Sequence, residues 1–323
     1  MSAKKDAKAQ LRAGKPAETL AQDKIPGEKA VKQSLSVEQR RHLESLGAAW
    51  TAVSGIAPNV LIPQVVATVL KEGGTRPAWQ WTVQDNEYVL LAWPKEEPLR
   101  AAVLLSGPKG GQLRPVSAVP LLEGLPNDLT VSCVHPWDEG CGANVGVAML
   151  EEGQPMWFYD PFYLRDKNDL TEDVTHTFLL GALAFGVRKA LLDEITITQG
   201  PNYEAYAQAW LEANPGKSRL DVPPFKVNVA GKHIIHPGQA FGEYQIRAQI
   251  EDIDDCQLEK MPMKILYTRF PFENRPPLHL PIFVAKLNLK GYEPKVGDEI
   301  DAYVWFQGRV IDLDAQESRE AGA

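Results

Sequence analysis

Apolar positions along the chain change period twice. Leu43, Leu46 and Trp50 carry a stripe at helical spacing to about Val53, behind a capping box at Ser36-Val-Glu-Gln39 and before Gly55 and Pro58. Val60, Ile62, Val65, Val66, Val69 and Leu70 predict a second short helix over 59–71, despite its β-branched content. After Gly73-Gly74 the texture shifts to short apolar runs at 78–83, 88–93, 101–106, 113–119, 129–135, 144–150 and 156–159. Turn-forming clusters separate them, which is the pattern of an antiparallel meander. Residues 175–192 are harder to place. Thr171-Glu-Asp173 suits a helix start and the run exceeds a usual strand, so a buried helix is expected, with a pair of strands as the alternative. A short strand at 195–198 and a helix at 203–213, closed by Asn214-Pro-Gly216, follow.

Beyond Pro223-Pro224 the runs lengthen to 241–253, 263–270, 280–289 and 299–311. In the last, Ile300, Ala302, Val304 and Phe306 point one way, while Asp301, Tyr303, Trp305 and Gln307 point the other. Lys295-Val-Gly-Asp298 predicts a tight turn before it, and Gly308 a bulge or coil within it. Strands of this kind resemble a small closed barrel such as an OB fold, a likeness of fold that carries no functional residues with it. The expected class is α+β, mostly antiparallel β. A helix-flanked sheet domain over 36–220 precedes an OB-like β-barrel over 221–314, between a disordered basic tail (1–35) and an acidic flexible tail (315–323).

Charge sharpens this division. The net charge is −8, yet the first 35 residues hold eight Lys/Arg against four Asp/Glu, leaving 26 basic against 38 acidic residues in the rest. An acidic body repels phosphate backbones and argues against general nucleic-acid binding. Three cysteines form no disulfide framework, and neither a secretory leader nor an apolar run of membrane-spanning length is present, so a cytoplasmic protein with no membrane association is expected.

The densest reactive set lies in the segment 131–141. Cys133 and His135 share a strand face, Cys141 follows a glycine-containing turn, and His176 is the next histidine. Thiolates and imidazoles in fours suit zinc, so Cys133, His135, Cys141 and His176 are the candidate metal ligands, although paired CxxC knuckles are missing. The same region admits a nucleophile site, with Cys141 attacking, His176 as base and Asp160 orienting it. No other cofactor is expected. Gly107-Pro-Lys-Gly-Gly111 lacks phosphate-loop spacing and suits a hairpin turn.

Aromatic residues supply the competing signal. Trp157 and Tyr159, in a cluster followed by Arg165, Asp166 and Lys167, and Tyr303 and Trp305 on the last strand, are the candidate partner-binding residues. Without a catalytic signature, the expectation is a noncatalytic protein that binds another macromolecule, a protein above all. A metal- or cysteine-dependent enzyme is the first alternative. Single-stranded nucleic-acid binding through the C-terminal barrel is the second.

Overall fold

The computed structural model describes residues 47–73, 78–137, 142–149, 155–191, 193–238, 241–272 and 275–311. The expected tails at 1–35 and 315–323 and the capping box at 36–39 lie outside them. The described chain is mostly antiparallel β-sheet with a few helices. No single helix among the described residues is long and apolar enough to cross a membrane.

Helices α1 (Gly47–Ser54) and α2 (Pro58–Glu72) open the chain. Proline at the first position of α2 is pre-set for helix entry. Its Leu61, Val65 and Val69, four residues apart, form the buried face. Both helices pack on a four-stranded meander, β1 (Trp79–Val83), β2 (Asn86–Trp93), β3 (Leu99–Pro108) and β4 (Arg114–Leu122), arranged in sequence order. The free edge of β4 is sealed by side chains. Trp50 Nε1 donates to Ala118 O at 2.9 Å, Gln307 Nε2 to Pro120 O at 2.8 Å, and Leu122 N–H donates to Gln307 Oε1 at 2.8 Å.

The remaining strands repeat one pattern twice. In the first unit β5 (Leu125–Pro136), β6 (Ala143–Val147) and β7 (Met156–Asp160) form a meander. A helical turn α3 (Tyr163–Asp166) then leads into a long strand β8 (Thr175–Lys189) that pairs with β5. After β9 (Glu194–Ile197), α4 (Pro201–Ala213), β10 (Phe225–Asn228) and β11 (Ile234–Pro237) comes the second unit. There β12 (Glu243–Leu258), β13 (Met261–Phe270) and β14 (Leu278–Ala285) form a meander. A 3-10 turn at Lys286–Leu289 leads into β15 (Glu299–Val310), which pairs with β12. The two long strands are antiparallel neighbours over most of their length, and each also runs parallel to the third strand of the opposite unit, β8 beside β14 and β15 beside β7. The pairing therefore crosses the expected 220/221 boundary: β8 lies between β14 and β15 in one sheet of nine strands.

Two expectations need correction. Residues 175–189 form one strand, not a helix or a strand pair. Leu180, Ala182 and Ala184 enter one core, while Leu183 enters the other, so both faces are apolar and the alternation that marks a half-buried strand is lost. The bulge in the β8–β15 pairing is Phe185 of β8, opposite Tyr303 and Val304, and β15 runs in regular register through Gly308. Gly308 instead admits the Phe158 ring, since a Cβ there would stand 2.8 Å from it.

Gln307 is buried and joins the sheets through both ends of its amide. Gln307→Leu leaves two backbone groups of β4 without partners, and urea unfolding is expected to show a loss of about 2–4 kcal/mol with an unchanged m-value. A loss below ~1 kcal/mol would mean that these bonds do not hold the sheets together.

Candidate functional site

Cys133 and His135 share a buried face of β5, as the strand period requires. Their surroundings are aromatic: Cys133 packs on Trp157, and the His135 ring lies 5.9 Å from Trp137 and 6.4 Å from Phe241 between centroids. His176 is elsewhere. It pairs across the sheet with Leu129, six residues before His135, which is roughly 20 Å away at about 3.3 Å per residue. Cys141 lies outside the described residues. Among those described, no three His, Cys, Asp or Glu side chains converge on a point where a metal ion would sit.

The expected partner-binding aromatics are corrected by burial. Trp157, Tyr159 and Trp305 are 2%, 4% and 3% exposed, and Tyr303 is half-buried. Every residue of β7 is buried because the strand has neighbours on both edges and a core on both faces. Tyr159 packs on Trp305 at 5.8 Å, and the Trp157 N–H donates to the Tyr244 hydroxyl at 2.7 Å. The Tyr303 hydroxyl donates to the Glu243 carboxylate, and its ring lies 5.4 Å from Phe185. Trp157, Tyr159 and Trp305 hold sheets together beneath the surface, whereas Tyr303 stays half-buried.

A different cluster stands where β7 and α3 meet the meander. Trp79 and Phe162 are in edge contact at 4.9 Å, and three guanidinium groups surround them. Arg165 lies 4.8 Å from the Phe162 centroid, Arg309 lies 5.8 Å from both rings, and Arg100 lies 5.7 Å from Trp79. Glu123 bridges Arg100 and Arg309, and Asp166 takes Arg165 in a two-point pair, with Nη2 to Oδ2 at 2.7 Å. Burial, only partly offset by Glu123, pulls the Arg309 pKa down, and the neighbouring Arg100 and Arg165 charges push the same way.

Asp160 lies beneath this cluster with no exposed surface. Its Oδ1 accepts the Phe162 N–H at 2.8 Å, while Oδ2 has no partner among the described residues. Burial first, and Asp166 second, push its pKa up to about 8, so the carboxyl is mostly protonated at neutral pH.

Beside the cluster a cleft of about 380 Å³ opens between two short segments. Trp81, Thr82, Val83 and Gln84 form one wall, and Leu164, Arg165, Lys167 and Asn168 form the other. The sequence placed Arg165 and Lys167 next to aromatic residues but pointed to the wrong rings. Trp79 and Trp81 carried no signal, since their proximity to α3 depends on how two distant segments pack.

Comparison with family models, with curated proteins and with solved structures finds no match.

The raised Asp160 pKa fixes the sign of a pH effect. Unfolded chains release this proton near pH 4 and folded chains near pH 8, so stability falls across that window by about 1.4 kcal/mol per pH unit. Asp160→Asn is expected to remove that slope, gaining little stability near the acid end and most near the alkaline end. Parallel pH profiles for the two proteins in urea unfolding would contradict it.

Cys133 is buried, and the Cys256 thiol is pushed up to about 12, first by burial and then by Glu97, Asp255 and Asp254. Both should alkylate slowly at neutral pH in the folded protein and rapidly in urea, as read by peptide mass mapping. Rapid labelling of folded Cys256 would contradict this environment.

Proposed function

We propose that this is a noncatalytic protein-binding module that takes an extended segment of a partner protein along the open edge of β1. The observation behind this reading is the position of the cleft. Among the described residues β1 ends its sheet and pairs with β2 alone, and four consecutive residues around its end line the cleft. Val83 and Asn86 flank a two-residue turn and pair directly, so alternation directs the N–H and C=O of Gln80 and Thr82 away from β2. An incoming strand bonds to such groups, and α3 across the cleft limits where it can lie.

The expected OB-like barrel enters as a reading of the same kind. Pairing that runs β12–β13–β14–β8–β15 and returns to β12 supports it, with β8 supplied from outside 221–314. Base stacking on its last strand has no support from Trp305, which is buried.

Thr82→Pro tests the edge. Thr82 is exposed, and proline removes a donor on the open side while leaving the bonds of Trp81 and Val83 to β2 in place. Selection of a random-peptide phage library on the intact chain is expected to enrich extended sequences that the proline variant no longer retains. Equal retention by a folded Thr82→Pro protein would sink the proposal.

A further inference from the structure

We infer that the segment accepted by this cleft is acidic, with Lys167 and Arg165 reading its carboxylates; this rests on the edge-strand reading above. Charge on the lining is one-sided. Arg165 and Lys167 are its two ionised residues, and the others are apolar or neutral polar.

The two cations are held differently. Arg165 is fixed by its two-point pair with Asp166 and by the Phe162 ring beneath it, so its position costs little further ordering when an anion arrives. Lys167 makes no hydrogen bond or ion pair to any described residue. It is half-buried at the cleft, with all three donors available to a carboxylate.

Behind Arg165, the guanidinium groups of Arg100 and Arg309 share Glu123, and Asp160 adds little negative charge at neutral pH. Among these described groups, the cations Arg100, Arg165, Arg309 and Lys167 stand against the carboxylates Glu123 and Asp166, so the excess beside Arg165 is positive in a chain whose net charge is −8. Asp85 and Asp169 each adjoin one end of the lining, which confines favourable contact to the stretch between them. A strand side chain on the α3 side of the incoming segment, and the one two residues on, would meet this wall together.

The test uses three labelled synthetic peptides of one alternating pattern, with Val at every second position and Glu, Gln or Lys between. Fluorescence anisotropy on the intact chain is expected to rank them Glu, Gln, Lys, with at least about a tenfold gap between the first two, since a good charge-assisted contact is worth roughly that factor. Lys167→Glu should close or invert the gap, and added salt should narrow it. If Glu and Gln peptides bind equally and Thr82→Pro abolishes both, the charge inference fails and the edge reading stands. If the Glu preference survives in Thr82→Pro at undiminished affinity, the anion site stands and the edge reading fails. Absence of binding by all three overturns both.

Discussion

The antiparallel pair of β8 and β15 is the constraint on which the rest of the structure depends. β8 pairs with β5, β14 and β15, and β15 pairs with β7, β8 and β12, so neither unit of the repeated pattern completes its hydrogen bonding alone. Unsatisfied backbone groups are costly when buried, and both strands run through the interior. Each unit thus supplies the strand that satisfies the other. Apolar side chains alternate into two cores along this pair, Leu183 and Trp305 on one side and Ala184 and Val304 on the other.

Local structure was legible in the sequence to a large degree, because it depends on neighbours along the chain. The seven short runs after Gly73-Gly74 each correspond to a strand, from Trp79–Val83 to Met156–Asp160, and residues 201–213 form the helix that closes at Asn214. What the sequence hid was pairing. The run at 175–189 reads as a helix only if one face is assumed to be buried, and here both are. Trp305 and Tyr159 stand at positions that alternation assigns to solvent, yet each covers the other. The repeat of three strands, a helical turn and a long strand went unseen because it is carried by register rather than by matching residues.

The site was less legible than the fold. Cys133 and His135 do share a face, but His176 enters the sheet beside Leu129 and faces a different region. Spacing along a strand says which residues share its face, not how far along it the next segment joins. The arginine cluster draws on β3, α3 and β15, residues more than two hundred positions apart, and only the packed structure brings Arg100, Arg165 and Arg309 around Trp79 and Phe162. Their proximity is repulsive in itself. Glu123, Asp166 and the aromatic faces offset it, and burial of Asp160 in protonated form costs less than burying a third carboxylate charge.

Contrast between the two ends of the meander explains why β1 is the edge to watch. Open sheet edges invite pairing with other chains, and proteins ordinarily cover or interrupt them. At β4 the outward groups of Ala118, Pro120 and Leu122 are taken by Trp50 and Gln307, so that edge is closed by side chains from α1 and β15. β11 is four residues long and ends in Pro237. Among the described residues β1 has neither device: its edge runs beside a cleft, with a fixed guanidinium on the opposite wall and an ammonium that no described residue pairs. On the reading we propose, an edge left open beside this wall would discriminate between incoming strands by charge, admitting an acidic one and repelling a basic one. Protection against promiscuous pairing and selection of a partner would then come from the same two side chains.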